Sequence, residues 1–429
     1  MINIHVGTIP RSGGSLLCRL FDGHPAVASY PVEVPFPVNS TISPHIGHNT
    51  GYPYTIPQPE DIQGRDALDL LNIQPARKGP VHQWGKESSD ILGVRKNYLE
   101  KAYYDTVRTD FDYELFIRLI QEKSVDAACF KDLWNARHRA YFEAWDNNRH
   151  AGNMQFVVTH ASSGLYLSNF GAFFNEFADS FYLCSIRDVM GYIASEKSRL
   201  ARLYFGSRRF PKVGLPASWL LKFDNYDLAA YIGAWSAAMT RLRILQEKFA
   251  ATGRFVVYRY ENLVADVPGV MQTLCDRMGL EYQNCLLEPT IAGEPWGGNS
   301  HRGKQRGINR QLARTYTAVL RPEEMRQIEN SCGDLQRQID TLADTPVDLK
   351  TIPEQVFQDY TFQSRYFEDE EKMALYGALS NAKIKYAKVR PPRLIACQAV
   401  MYAFLIRIIH FPRLLKLRLL PGWGRQNYT

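Results

Sequence analysis

The sequence predicts an α/β protein with a parallel sheet flanked by helices, and three observations predict it. Short runs at residues 2–6, 154–159, 181–186 and 255–258 are rich in apolar, β-branched and aromatic residues. Runs of that length and composition suit strands buried on both faces. Between them lie longer stretches whose apolar residues recur every three or four positions, as on one face of a helix. The first run leads at once through a small-residue loop into a helix. Strands alternating with helices make a parallel sheet covered on both sides.

Taken in order, the first strand is followed by Gly7-Thr8-Ile9-Pro10-Arg11-Ser12-Gly13-Gly14-Ser15. Leu16, Leu17 and Leu20 then fall at helical spacing, and Gly23-His24-Pro25 stops that helix. Gly13 and Gly14 let the backbone come close to a ligand, so consecutive N–H groups and the helix N-terminus can face an anion. Residues 26–30 read as a second strand. Residues 31–59 carry seven prolines and read as a long irregular stretch, either a wall of an acceptor pocket or a solvated loop. Glu33 stands at its start.

Helical spacing returns at 66–73, 89–104, 112–123 and 125–147. The strand at 154–159 ends in Thr159-His160, and a helix follows over 165–177. The strand at 181–186 delivers Arg187, and Asp188 is placed to cap a helix through Met190, Ile193 and Leu200. A helix at 227–249 precedes the strand at 255–258. The next helix, 268–278, has Asp266 and Pro268 as start signals and Gly279 as its stop. Residues 203–225 mix aromatic and basic side chains, which suits a lid over an acceptor with ring faces or a packed surface excursion.

A chain of 429 residues is long enough for one large domain, 1–345, with a helical extension, 346–429. A net charge of +7 suits anionic cofactors or anionic lipid and is too diffuse for nucleic acid. The seven cysteines are scattered with no Cys-x-x-Cys, which argues against a disulfide framework or a zinc site and for a reducing compartment. No metal-ligand spacing occurs. The chain enters a strand at once without a basic, cleavable leader, so a cytoplasmic location is expected. In the extension, residues 394–406 are nearly all apolar until Arg407 and His410 interrupt. Arg413, Lys416 and Arg418 then alternate with leucines before Trp423. This pattern suits an amphipathic segment at the membrane's cytoplasmic face, or a helix packed on protein.

The loop is not a Walker A sequence, because Gly14 stands where the lysine belongs. Pro10-Arg11-Ser12-Gly13-Gly14-Ser15-Leu16-Leu17, with Asp22-Gly23-His24-Pro25, instead resembles the 5′-phosphosulfate loop of the sulfotransferase family. Gly14 replaces the first threonine of that pattern. Arg187-Asp188, with Ser195 eight residues after the arginine, resembles the family's 3′-phosphate segment, and Arg199 lies one turn further on. Tyr258-Arg259-Tyr260-Glu261-Asn262-Leu263 looks like the family's Arg-Tyr-Glu-Asp-Leu strand. Gly293-Glu294-Pro295-Trp296-Gly297-Gly298-Asn299-Ser300 resembles a late segment of bacterial members.

The resemblance implies the P-loop nucleotide-kinase-like sulfotransferase fold and 3′-phosphoadenosine 5′-phosphosulfate (PAPS) as donor, without a metal. The acceptor it implies is a hydroxyl ahead of an amine, with a carbohydrate or glycolipid favoured by the lid and tail. The donor would be held by Arg11, Ser12, Gly13, Gly14, Ser15, Leu16, Arg187, Ser195, Arg199, Tyr260, Ser300, Arg302 and Lys304. Arg11 is also implied in catalysis, at the bridging oxygen. The base stays open between His160, similar to the Thr-His pair of the cytosolic branch, and Glu33, near the glutamate of the tyrosylprotein branch. Two other functions compete: a P-loop phosphotransferase needing ATP and Mg²⁺, and a nucleotide-binding module without catalysis.

Overall fold

A computed structural model gives the fold. It describes residues 1–31, 34, 62, 66–71, 112–144, 154–161, 170–204, 228–291, 293–296, 307–314, 316–320, 322–343, 346 and 348–352. In chain order the elements are β1 (Ile2–Gly7), α1 (Gly14–Phe21), β2 (Val27–Ser29), α2 (Ala67–Leu70), α3 (Tyr113–Lys123), α4 (Phe130–Glu143), β3 (Phe156–Ala161) and α5 (Phe170–Glu176). Then follow β4 (Phe181–Ile186), α6 (Val189–Tyr204), α7 (Leu228–Phe249), β5 (Phe255–Arg259), α8 (Tyr260–Ala265) and α9 (Val267–Met278). A small β6–β7 ribbon (Thr290–Ile291, Glu294–Pro295), α10 (Tyr316–Val319) and α11 (Pro322–Asp340) complete them.

The strands of the main sheet are all parallel, in the order β2-β3-β1-β4-β5. The order reverses direction at β1, so the crevice beyond its carboxyl end is the place where open α/β sheets bind ligands. Register sets that crevice. Val6 pairs with His160 and Gly7 with Ala161, so β1 and β3 end level. Val6 also pairs with Leu183, which sets Gly7 level with Cys184, so β4 runs two residues beyond β1, roughly 7 Å at 3.3 Å per residue, and carries Arg187 past the mouth of β1.

Side-chain alternation divides the core. Ile4, Val6, Val158, Leu183 and Val256 face α1 and α9, meeting Leu17, Phe21, Leu274 and Met278. Val157, Tyr182, Cys184, Ile186 and Phe255 face the other layer, with Trp134, Phe173 and Trp235. β1 places polar Asn3 and His5 on that second side, where Asn135 Oδ1 accepts from Asn3 Nδ2 at 3.1 Å and His5 Nδ1 meets Thr159 Oγ1 at 2.8 Å. A polar residue inside a buried strand is kept where a partner awaits it.

Helix ends follow local chemistry. Asp112 caps α3 through the Leu115 N–H, and Asp266 caps α9 through the Gly269 N–H, while Gly279 ends α9 in the left-handed conformation. The helix expected from 125 starts instead at Phe130, because the Asp132 carboxylate reaches back to the N–H groups of Ala128 and Cys129. Within the expected helices at 66–73 and 165–177, the described helical residues are Ala67–Leu70 and Phe170–Glu176. His160, expected just after its strand, lies within β3 because β1 is long enough to pair with it. The strand expected at 255–258 runs to Arg259, level with the last paired residue of β4, and in the family-like segment that follows Tyr260 opens α8.

Helix α11 was not foreseen, although Pro322, Glu323 and Glu324 are start signals. It docks beside the sheet's carboxyl edge. Gln336 Oε1 accepts from the Val189 N–H at 3.0 Å, and Gln336 Nε2 donates to Asp340, which pairs with Arg259 at 2.7 Å. No described helix is long and apolar enough to cross a membrane. The chain from 353 onward, with its amphipathic stretch, lies outside the described residues, as do most of 203–225 and the expected helix at 89–104.

Candidate functional site

The loop after β1 is tightly constrained. A Cβ on Gly7 would lie 2.4 Å from the Tyr182 ring, so only glycine ends the strand here. Arg11 adopts φ +66° and Gly13 φ +87°. Left-handed backbone at a non-glycine residue costs about 1–2 kcal/mol and tends to persist where function or surrounding structure over-determines it. Between the two sits Ser12, 1% exposed, whose Oγ has no hydrogen-bond partner among the described residues. Gly13 is also the N-cap of α1, and no side chain caps that helix. The N–H groups at its start, from Gly14, Ser15 and Leu16, therefore converge with a buried, unpaired hydroxyl on one small region. Such a turn at a helix N-terminus is suited to an anion.

Two arginines close around the turn. Arg11 Nε donates to Ser195 Oγ at 3.0 Å, across 184 residues of sequence. Arg187 Nη1 donates to the Arg11 carbonyl oxygen. The Arg187 guanidinium lies over the Tyr260 ring, 4.4 Å from its centroid, and its Nε is buried without a partner among the described residues. Tyr260 also lies under the loop, since a Cβ on Gly13 would come 2.3 Å from its Cδ2. Trp235 Nε1 donates to the Arg187 carbonyl at 3.1 Å and fixes the strand end. Arg11, Ser12, Gly13, Arg187, Ser195 and Tyr260 thus form one cluster, with Gly14, Ser15 and Leu16 on the adjoining helical turn.

A carboxylate pair supports this cluster and was missed from sequence. Glu261 is 4% exposed, its Oε1 accepts the Asp188 N–H at 3.2 Å, and its Oε2 has no partner among the described residues. Burial raises the Glu261 pKa to about 7. The nearby Asp188 carboxylate adds to the rise, and the Arg187 charge opposes it. Burial also raises Asp188, which caps α6 through the Gly191 N–H at 3.1 Å. The only signal in sequence was that Glu261 follows Tyr260 in the family-like segment.

On the other side of β1, His160 reaches the loop from β3. A Cβ on Gly14 would lie 2.4 Å from His160 Nε2 and 3.1 Å from Thr8 Oγ1. The His160 carbonyl accepts from the Val34 N–H at 2.7 Å, which brings the start of the proline-rich stretch to the same mouth. Neighbouring His5 has its pKa lowered to about 3, by burial first and by His160 second.

Glu33, Ser300, Arg302 and Lys304 lie outside the described residues. Arg199 is on α6, one turn beyond Ser195, and its side chain is likewise outside them. Among the described residues no group of three His, Cys, Asp or Glu side chains is placed to hold a metal ion.

The chain was compared with known proteins. No curated protein matches it in sequence. Among solved structures it is similar to the sulfotransferase domain of an olefin synthase from Synechococcus PCC 7002, at 16% identity over 77% of this chain and 94% of that one, with a TM-score of 0.39. It is similar to a sulfotransferase domain from the curacin biosynthetic pathway at 14% identity, 78% and 98% coverage and a TM-score of 0.36. A sulfotransferase from Mycobacterium tuberculosis gives 15% identity, 74% and 77% coverage and a TM-score of 0.33. A family model described as "Sulfotransferase family" matches residues 66–284, just over half of the chain and including β3 through α9. On that match the protein is a member of the sulfotransferase family.

Proposed function

We propose that this sulfotransferase takes its sulfuryl group from PAPS and passes it to a hydroxyl of an acceptor, releasing adenosine 3′,5′-bisphosphate (PAP). The observation that carries the reading is the contact of Arg11 with Ser195, joined by Arg187 on the Arg11 carbonyl. It makes one receptor from a loop suited to a 5′-phosphosulfate and a helix suited to a 3′-phosphate. The residues fit such a ligand: Ser12 Oγ and Arg187 Nε are buried without partners among the described residues, and no described side chain caps α1.

When bound, PAPS supplies a sulfuryl group on a good leaving group. The acceptor oxygen forms a bond to sulfur as the bond from sulfur to the bridging oxygen breaks, in line as in phosphoryl transfer. Arg11 and the N–H groups of the α1 first turn bear the charge gathering on the bridging oxygen. Arg187 and Ser195, with Arg199, hold the 3′-phosphate, and Tyr260 supports Arg187 from below. Ser300, Arg302 and Lys304 are assigned to the bisphosphate by the family resemblance and by their hydroxyl and cationic side chains. His160 or Glu33 takes the acceptor's proton. A neutral imidazole is well matched to that task near pH 7, whereas a glutamate needs burial to raise its pKa.

The acceptor class is proposed as a carbohydrate or glycolipid, supported by the aromatic–basic stretch at 203–225 and the leucine–arginine tail. The same tail supports a cytoplasmic enzyme at the membrane face, with residues 346–429 as an extension to the domain at 1–345. Thermal melting with PAP, compared with ATP plus Mg²⁺, tests the donor. Stabilisation by PAP alone is expected, and a shift with ATP and Mg²⁺ alone would transfer the site to a phosphotransferase. Transfer of label from PAPS to glycan or lipid fractions tests the acceptor, and absence of any turnover would leave a binding module. Liposome flotation of the chain with and without residues 395–429 tests the membrane reading.

A further inference from the structure

Gly14 is the one conspicuous break in the loop, for it removes a hydroxyl that the rest of the sequence leads one to expect. The structure gives the reason. A Cβ at position 14 would stand 2.4 Å from Nε2 and 2.7 Å from Cδ2 of His160, closer than real side chains approach. The third neighbour, Thr8 Oγ1 at 3.1 Å, is engaged on the Ile9 carbonyl at 2.9 Å. The strand that carries the ring is held in place. His160 is 7% exposed, sits in register with Val6, and has its carbonyl bonded to the Val34 N–H. The imidazole therefore fills the space that a side chain at 14 would fill.

We propose that His160 Nε2 is a ligand of the donor's 5′-phosphate end, replacing the hydroxyl that a threonine at 14 would bring to the loop. This rests on the PAPS reading and adds a contact to it. Nε2 meets the loop at the first residue of α1, where among the described residues no side chain caps the backbone N–H groups and the buried Ser12 hydroxyl has no partner. An anion drawn to those groups comes within reach of the ring. As the Nε2–H tautomer or as imidazolium, the ring donates to it. Gly14 and His160 are then one unit: the loop has exchanged a short hydroxyl on its own backbone for a longer donor from the neighbouring strand. With Glu33 as base the ring can donate throughout; with His160 as base, Nε2 donates to the 5′-phosphate only after it has taken the acceptor's proton, in the PAP complex.

The test is a square of variants, wild type, G14T, H160A and G14T/H160A, with H160Q as a fifth that keeps an amide N–H on a side chain of similar reach. Calorimetry measures the affinity of each for PAP and for adenosine 3′-phosphate, which lacks the 5′-phosphate, and melting without ligand reports folding. H160A is expected to weaken PAP roughly tenfold to a hundredfold, the range for one hydrogen bond to a charged group, and to leave adenosine 3′-phosphate unchanged. H160Q should fall between H160A and wild type. G14T should melt lower and bind PAP poorly, and G14T/H160A should regain both melting and PAP affinity.

Equal PAP affinity in wild type and H160A would overturn the inference while leaving the donor assignment intact. So would a G14T/H160A protein that folds but binds PAP no better than G14T. Should H160A fail to fold, the comparison of H160Q and G14T/H160A with wild type decides in the same way. Failure of the wild type itself to bind PAP would defeat the donor reading and this inference with it.

Discussion

Arg11 Nε and Ser195 Oγ lie 3.0 Å apart, although the chain travels 184 residues between them. The bond fixes the loop after β1 to the second turn of α6. If both residues serve one ligand, their substitutions are not independent. R11A and S195A should each weaken PAP, and the double variant should weaken it by less than the sum, with a coupling of about 0.5–3 kcal/mol. Strict additivity in a double-mutant cycle of PAP affinities would show that the two do not act on one anion. R11A should also abolish measurable sulfate transfer, because Arg11 is the loop's own cation and is assigned to the bridging oxygen, whereas Arg187 is assigned to the 3′-phosphate.

Gly13 has two reasons to be glycine: its left-handed backbone and the Tyr260 ring 2.3 Å from where a Cβ would sit. G13A should destabilise the protein by about 1–3 kcal/mol in urea unfolding and reduce PAP binding with it. Adding Y260A should restore part of the stability, since it removes the steric conflict and leaves the backbone strain. No recovery would place the whole penalty in the backbone.

The Glu261 pKa gives the fold a pH dependence of definite sign. It is about 7 in the folded protein against an ordinary 4.5, so the folded state holds the extra proton in between. The stability this contributes is present below 4.5 and is lost as pH rises through 7, about 3 kcal/mol at most. His5, lowered from 6.5 to about 3, runs the other way, its contribution being present above 6.5 and lost as pH falls toward 3. The wild-type unfolding free energy minus that of E261Q should therefore fall by about 2–3 kcal/mol from pH 5 to pH 7.5. A difference that does not change with pH would mean that Glu261 is ionised throughout.

Arg259 is 4% exposed and pairs at 2.7 Å with Asp340, which is 31% exposed. Removing the carboxylate strands a buried guanidinium whose Nε already lacks a partner among the described residues. D340A should cost about 2 kcal/mol, below the value for a fully buried pair because water reaches Asp340. R259M/D340A should cost less than D340A in the same chemical denaturation. If it costs more, the arginine stabilises through contacts other than the pair.

What the sequence conveyed was local. The β1–loop–α1 unit was legible because Ile2 to Val6, the two glycines and the leucines at 16, 17 and 20 each state their conformation within a few residues. Asp188 and Asp266 as caps, and Gly279 as a stop, were legible for the same reason. The need for glycine at 14 was not, because the obstacle is a ring on another strand, 146 positions away. Glu261 was equally hidden, since its shifted pKa comes from burial and from Asp188, 73 residues earlier. The strand read at 255–258 extends one residue further, to Arg259, because a strand's length depends on where its neighbour stops, and Arg259 pairs with Ile186 at the end of β4. Helix α11 had its start signals in Pro322, Glu323 and Glu324, but its role comes only from docking.

That docking has a practical side. Through Gln336 the last described long helix holds the first residue of α6 with its carbonyl and, through Asp340, the end of β5 with its amide. One glutamine thereby staples the two strand ends from which the arginine-bearing edge of the cleft springs. A truncated protein that stops before residue 336 would keep every strand of the sheet and lose the staple, so a minimal recombinant version has to run past 340 even if the tail beyond it is discarded.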